Sequence, residues 1–246
     1  MAQELSIHGS EVTPALLHSL HDDAQLETLV IWGGTLTTAD LEPLSRLTRL
    51  KHLVLGEMPI DDGIFRVLQP LRGLESLNLA YTGIRGDFTP LFGAPLRDVR
   101  LEGCRLVSDA CGKTLAGFHT LRQLELHMTG LTDAGVEALA ALPLEILWLG
   151  PRITDRSLQI IAGMAGMKHL DLCAHMVTDE GVAALARLPA LEVLWLTRCG
   201  VSDQSVEVLA RMHTLKELNI SHTAVSRAGL DTLRAALPQC RLVEPD

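Results

Sequence analysis

Basic residues and aromatics are both scarce in this chain, and each scarcity excludes a class of function. Against 30 Asp and Glu stand 21 Lys and Arg, for a formal net charge of -9. Such a surface repels a phosphate backbone and favours a partner protein with a basic or amphipathic surface, so nucleic acid is not expected as a ligand. Aromatics make up 3% of the residues and include three tryptophans, so the core must be aliphatic and an exposed indole stands out. Long apolar runs are missing as well: Gly, Thr, Asp or Arg interrupts every stretch before the roughly 20 residues that a membrane span needs. At the start, MAQELSIHGSEV places no basic region ahead of an apolar run, which argues against a secretory signal peptide and for a cytoplasmic protein. The five cysteines, Cys104, Cys111, Cys173, Cys199 and Cys240, are odd in number and never spaced CxxC. They form neither a complete disulfide framework nor a recognisable zinc site, and are read as reduced. No Gly-rich phosphate loop or GxSxG elbow occurs, and no cofactor is expected.

What the chain has in quantity is repetition. The pattern L-x-x-L-x-L returns every 22 to 25 residues, as LETLVI from Leu26, LKHLVL from Leu50, LESLNL from Leu74, LRDVRL from Leu96, LRQLEL from Leu121, LEILWL from Leu144, MKHLDL from Met167, LEVLWL from Leu191 and LKELNI from Leu215. AQELSI from Ala2 opens the series, and LPQCRL from Leu237 closes it as a terminal strand over 237–243. A fixed period of this length is the signature of a solenoid, so residues 1–246 are expected to form a single domain. After many of the strands comes a second phrase, as in LTDAGVEALAAL, ITDRSLQIIAGM, VTDEGVAALARL and VSDQSVEVLARM. Here Thr132, Thr154, Thr178 or Ser202 is placed to cap a helix. Asp133, Asp155, Asp179 or Asp203 then sits at the positive end of the helix dipole. IRGDFTPLFGAP lacks the phrase and carries Pro90 and Pro95, which predicts a turn or a brief 3-10 stretch on the outer side.

Strand, TD-x-G phrase and helix, repeated about ten times, resemble the ribonuclease-inhibitor-like class of leucine-rich repeats, and bacterial GALA-type repeats in particular. The resemblance implies an α/β solenoid: a right-handed horseshoe with a concave parallel sheet and convex helices. Some GALA-type proteins carry an F-box ahead of the repeats and act as ubiquitin-ligase adaptors; here the repeats begin near residue 2 and leave no room for one. Proteins of this class serve unrelated ends, so the fold identifies a surface and not a role.

If the leucines point inward, the third, fifth and seventh positions of each strand face the hollow. The central column then reads Ser6, Val30, Val54, Asn78, Arg100, Glu125, Trp148, Asp171, Trp195 and Asn219. The column on its N-terminal side includes Asp98, His169 and Glu217. The one on its C-terminal side includes His8, Trp32, Gly56, Ala80, Glu102, His127, Gly150, Cys173 and Thr197. All three tryptophans fall on this face, among six acids and one base. Such a surface suits a Lys or Arg side chain inserted between Trp148 and Trp195 over Asp171. The partner-binding candidates are therefore Trp32, Arg100, Glu125, His127, Trp148, His169, Asp171, Cys173, Trp195 and Asn219. Two readings remain open: recognition of a partner, or indoles and charges that merely shield and solvate the sheet.

Histidines and Cys173 on one face raise the question of catalysis or a metal. Strand spacing sets His127 and Cys173 about 9.6 Å apart at the backbone, and His169 and Cys173 about 13 Å apart. A nucleophile and its base need about 3 Å, and zinc needs ligands converging at just over 2 Å. No catalytic or metal residue is assigned. Cys104 and Cys199 follow their strands at positions that fill the buried turn, alongside Thr82, Thr129 and Thr223. Arg85, Gly86 and Asp87 spell the integrin tripeptide, which carries little weight without an extracellular setting. The favoured function is a non-catalytic protein-interaction module, in its sharper form a bacterial immunity protein or effector. The alternatives are a substrate adaptor, a structural scaffold or a Cys/His enzyme.

Overall fold

The leucine ladder winds into eleven strands that pair strictly in chain order as one parallel sheet. The structure, a computed structural model, describes residues 3–9, 11–20 and 25–244. The strands are β1 (Gln3–His8), β2 (Leu26–Trp32), β3 (His52–Gly56), β4 (Ser76–Asn78), β5 (Asp98–Arg100), β6 (Gln123–Leu126), β7 (Ile146–Leu149), β8 (His169–Leu172), β9 (Val193–Trp195), β10 (Glu217–Asn219) and β11 (Arg241–Val243). Short helices return the chain: α1 (Pro14–Ser19), α2 (Ile64–Leu68), α3 (Asp109–Leu115), α4 (Asp133–Leu139), α5 (Asp155–Ile161), α6 (Asp179–Leu185), α7 (Val206–Leu209) and α8 (Arg227–Ala236). Thr38–Arg46, Thr89–Leu91 and Asp203–Ser205 are 3-10 turns, the second where Pro90 and Pro95 predict one. The repeat start at residue 2, and residues 21–24 of the polar segment that precedes β2, lie outside the described residues. Among the described residues no helix is long and apolar enough to cross a membrane.

Every strand is in register with its neighbour at the leucine positions. Leu29, Leu53, Leu77, Val99, Leu124, Leu147, Leu170, Leu194 and Leu218 line up across β2 to β10, and all are fully buried. Leu5 and Ile7 on β1 and Leu242 on β11 are only partly buried, because an end strand has a neighbour on one side only. The terminal strand is shorter than the L-x-x-L-x-L pattern predicts. Helix α8 runs to Ala236 and a turn follows, so Cys240 lies in that turn and not in β11.

The helix starts show a second order that the capping phrase alone does not reveal. Thr132, Thr154, Thr178 and Ser202 accept hydrogen bonds from the first-turn N–H groups of Ala134, Arg156, Glu180 and Gln204, as expected of N-caps. Each aspartate, however, also reaches forward to the next repeat. Asp109 accepts from the Thr132 N–H and hydroxyl and from the Gly135 N–H. Asp133 accepts from Thr154 twice and from the Ser157 hydroxyl. Asp155 accepts from Thr178 twice, and Asp179 from Ser202 twice and the Ser205 hydroxyl. The Asp203 carboxylate continues the series to the Ser226 N–H. The chain of five carboxylates staples six successive helix starts together.

This staple explains the glycine of TD-x-G. A Cβ on Gly181 would stand 2.2 Å from Asp155 Oδ1, and one on Gly135 2.7 Å from Asp109 Oδ1. Where the repeat carries serine instead, at Ser157 and Ser205, the hydroxyl donates to that same carboxylate. Burial works against ionising Asp133 and Asp179, but the hydrogen bonds from Ser157 and Thr154 to the first, and from Ser202 and Ser205 to the second, hold both carboxyls below the usual carboxylate range. A depressed folded pKa contributes stability above the unfolded value of about 3.9 and loses it as pH falls through the folded value.

Two outcomes follow for urea unfolding followed by circular dichroism. Asp179→Ala should lower stability by about 1–3 kcal/mol at neutral pH, with the difference from wild type shrinking below about pH 4 as the carboxyl protonates. Gly181→Ala should destabilise by about 1–3 kcal/mol through overpacking; an unchanged midpoint in both variants contradicts the staple.

Candidate functional site

Register alone brings most of the candidate residues into one patch. Arg100, Glu125, Trp148, Asp171, Trp195 and Asn219 stand side by side on β5 to β10. Trp148 and Trp195 are half-buried on the sheet face and not inside the coil. Trp32 is the outlier. It lies on β2, five strands from Trp148, or roughly 24 Å at the usual strand spacing. Its indole lies over Gly56, where a Cβ would come within 2.3 Å of the ring. At that position Trp32 covers Gly56 and does not join the cluster.

Each indole in the cluster is held by neighbours. Trp195 Nε1 donates to Glu217 Oε1 at 2.8 Å, and Glu217 is also paired with Arg241 at 3.1 Å. The Arg100 guanidinium is 3.1 Å from Asp98 and 6.0 Å from the Trp148 ring centroid. His169 lies between the two tryptophans, with ring centroids 5.5 Å from Trp148 and 5.7 Å from Trp195. That placement corrects the sequence-based picture of an open slot between the indoles: the protein's own imidazole occupies it. Asp98 and Glu217 are likewise engaged by arginines, so fewer free carboxylates face the hollow than the column count implies.

Two further corrections concern exposure. Gly56, Ala80 and Gly150, assigned to the solvent-facing side, are buried, Gly56 beneath the Trp32 indole. Asp171 is 6% exposed, although the sheet alternation places it on the open face. The residues around it are large: Trp148 and Trp195 sit on either side, and His127 reaches over from β6. His127 Nε2 comes within 3.6 Å of Asp171 Oδ1 across the intervening strand β7. The separation is that of an ion pair, and His127 Nε2 is buried without a hydrogen-bond partner.

Beside this pair opens a cavity of about 500 Å³, bounded by Glu102, His127, Asp171, Cys173, Trp195 and Asn219, with Met128, Pro151, His175 and Arg198 contributed by the loops that follow the strands. The cavity thus gathers His127 and Cys173, which the sequence sets two strands apart. The loop residues were not in the candidate set, because they lie past the end of the L-x-x-L-x-L pattern. The glycine and proline at 150–151, which directly follow LEILWL in the sequence, were the available signal. Tyr81 donates its hydroxyl to Glu102, and that bond, with burial, pushes the phenol up to about 12.

Charge in the patch is unevenly distributed. Burial opposes protonation of His127, yet Asp171, Glu125 and Glu102 overcome it and raise its pKa above the ordinary histidine value. For His169 burial wins over Asp171 and Glu217, and its pKa is lowered. Glu125 is raised, first by burial and then by Glu102, against the pull of His127 and Arg100. The turn cysteines behave as fillers: Cys104 Sγ is 3.0 Å from the Leu79 carbonyl, and Cys199 is pushed up to about 12 by burial. Arg85 and Gly86 donate backbone N–H groups to Asp62, while Asp87 accepts from Thr89, so the RGD tripeptide is tied into the solenoid.

Comparison with known proteins agrees with the fold. A family model described as Leucine Rich repeat matches residues 119–140 and 211–233. Protein PAC2 of Saccharomyces cerevisiae is 34% identical over 73 residues, a stretch that spans 28% of this chain and 14% of that protein. The crystal structure of an internalin, inlF, from Listeria monocytogenes superposes over 99% of this chain and 82% of its own, with a TM-score of 0.62 and 19% identity. Internalin C2 from the same organism covers 86% of this chain and 84% of its own, with a TM-score of 0.55 and 24% identity. The chain is a leucine-rich-repeat protein.

The two histidines should titrate in opposite directions from about 6.5. NMR of the imidazole resonances against pH is expected to place His127 above that value and His169 below it, and Asp171→Asn should bring His127 down. By linkage, His127 stabilises the fold below its unfolded pKa and loses that contribution as pH rises through the folded one. His169 stabilises above its unfolded pKa and loses the contribution as pH falls. Equal titration of both rings contradicts the assignment.

Proposed function

We propose that this leucine-rich-repeat protein is a non-catalytic interaction module. It binds a partner protein across the concave face, with Trp148, Asp171 and Trp195 at the centre and Arg100, Glu125, His127, His169, Cys173 and Asn219 around them. The supporting observation is the preorganised aromatic patch: two half-buried indoles, one hydrogen-bonded to Glu217 and one under Arg100, with His169 between them. Rigid aromatics on a fixed sheet bind at low entropic cost and are the commonest kind of energetic anchor at interfaces. Trp32 belongs to the same face but to a separate contact.

In this reading, residues 1–246 act as one domain on one continuous core, and the net charge of -9 selects a basic or amphipathic partner surface. A bacterial immunity protein that neutralises a basic toxin, or an effector that occupies a host protein, fits that requirement. Five free thiols fit a reducing, cytoplasmic setting, and the TD-x-G phrase fits a GALA-type subclass.

The test is affinity capture from the native cell with the wild-type chain and with Trp148→Ala, Trp195→Ala as a double variant, its fold checked by circular dichroism. Anchors of this kind cost about 2 kcal/mol or more each when truncated, so the double variant should lose the partner that the wild type retains. Equal recovery of the same partner by both proteins refutes the placement.

A further inference from the structure

We infer that the cavity over Gly150 receives an arginine side chain from the partner polypeptide, with Asp171 as the acceptor of its guanidinium. The inference rests on the interaction reading above and adds to it the side chain that the partner must present.

The Asp171 carboxylate is the reason. Its side chain is 9% exposed, and its one described partner, His127 Nε2, stands 3.6 Å away, beyond hydrogen-bond reach. A carboxylate this deeply buried is costly unless donors reach it, and with none from the protein they must come through the cavity that it lines. The neighbouring acids show what satisfaction looks like here: Asp98 takes three hydrogen bonds from Arg100, and Glu217 accepts from Trp195 and Arg241. Asp171 has no such donor, and it lines the wall of an open cavity instead of facing protein.

The shape and chemistry of that cavity select among cations. Both oxygens of Asp171 lack donors, and a guanidinium offers two parallel N–H groups that match a carboxylate fork, whereas an ammonium offers a compact and strongly hydrated charge. Trp195, Met128 and Pro151 give apolar walls for the aliphatic stem of the arginine, which long basic side chains use while their heads stay polar. Trp195 is fixed in place by Glu217, so the wall exists before binding. The volume of about 500 Å³ lies within the range of ligand clefts. It leaves room for backbone beside the stem, where the loop residues Arg198 and His175 meet peptide carbonyl oxygens. An anion is disfavoured in the same space, because Asp171 and Glu102 both face it.

The experiment uses the full chain and three hexapeptides, Gly-Ser-Gly-X-Gly-Ser, with X as arginine, citrulline or lysine. The indole N–H resonance of Trp195 and the ring resonances of His127 report occupancy by NMR titration. The arginine peptide should shift both and saturate. The citrulline peptide, of the same shape without the charge, should bind about tenfold weaker or more, and lysine should fall between. Asp171→Asn should abolish the difference between arginine and citrulline. Thr197→Phe, which fills the cavity and leaves Asp171 intact, should remove the response while partner capture through the two indoles is reduced and not eliminated. Equal binding of arginine and citrulline peptides, or an unaltered response in both variants, overturns the inference. If the arginine peptide gives no shift while the double tryptophan variant still loses its partner, the arginine site falls and the interaction module stands.

Discussion

Everything in this molecule depends on strands that stay in register while they stack. Side chains alternate between the two faces of a strand, so a slip of one residue would turn every leucine of a repeat out of the core and every polar residue in. The cost of such a slip is repeated along nine aligned and fully buried ladder positions from Leu29 to Leu218. Burying one leucine is worth about 1.5–3 kcal/mol, so no local preference in a single repeat can compete with the ladder. The outer segments are therefore free to vary: helix, 3-10 turn and mixed segments all follow strands of identical register.

The aspartate staple shows how a solenoid whose repeats touch only their neighbours avoids fraying between them. Each of Asp109, Asp133, Asp155, Asp179 and Asp203 belongs to one helix start and satisfies donors of the next. Those donors are among the first-turn groups that an isolated helix leaves unpaired. Helices of four to seven residues, as most here are, would be unstable alone. Charge-assisted bonds across the repeat boundary let them persist, and the glycine or serine two residues after each aspartate is the local adjustment that accommodates the carboxylate of the preceding repeat.

How much of this was legible beforehand depends on the range of the interaction concerned. Leucine spacing gave the sheet, its register and the membership of the central column, because each is decided within one strand and its immediate neighbours. The 3-10 turn at Thr89–Leu91 followed from two prolines. What escaped was decided by side chains meeting across a strand. His169 fills the space between Trp148 and Trp195, a fact of ring size and rotamer that no period contains. Burial of Asp171 involves His127, which crosses β7 to reach it, and no period contains that crossing. The forward reach of the aspartates was hidden for a similar reason: capping explains their presence completely within one repeat, so nothing in the pattern asks for a second role.

The concave face thus combines two kinds of charge. Asp98, Glu217 and Glu102 are neutralised or hydrogen-bonded by groups of the chain itself, and serve the sheet as much as any ligand. Asp171 is different in kind, being more deeply buried than these three and yet the least satisfied. A raised His127 offers part of the compensation, at a distance that leaves both carboxylate oxygens without a donor. The acceptor without a protein donor, the rigid indole beside it and the cavity in front of it lie together on β8 and β9. On the interaction reading proposed above, this end of the hollow, and not the face as a whole, is the part that recognises the partner.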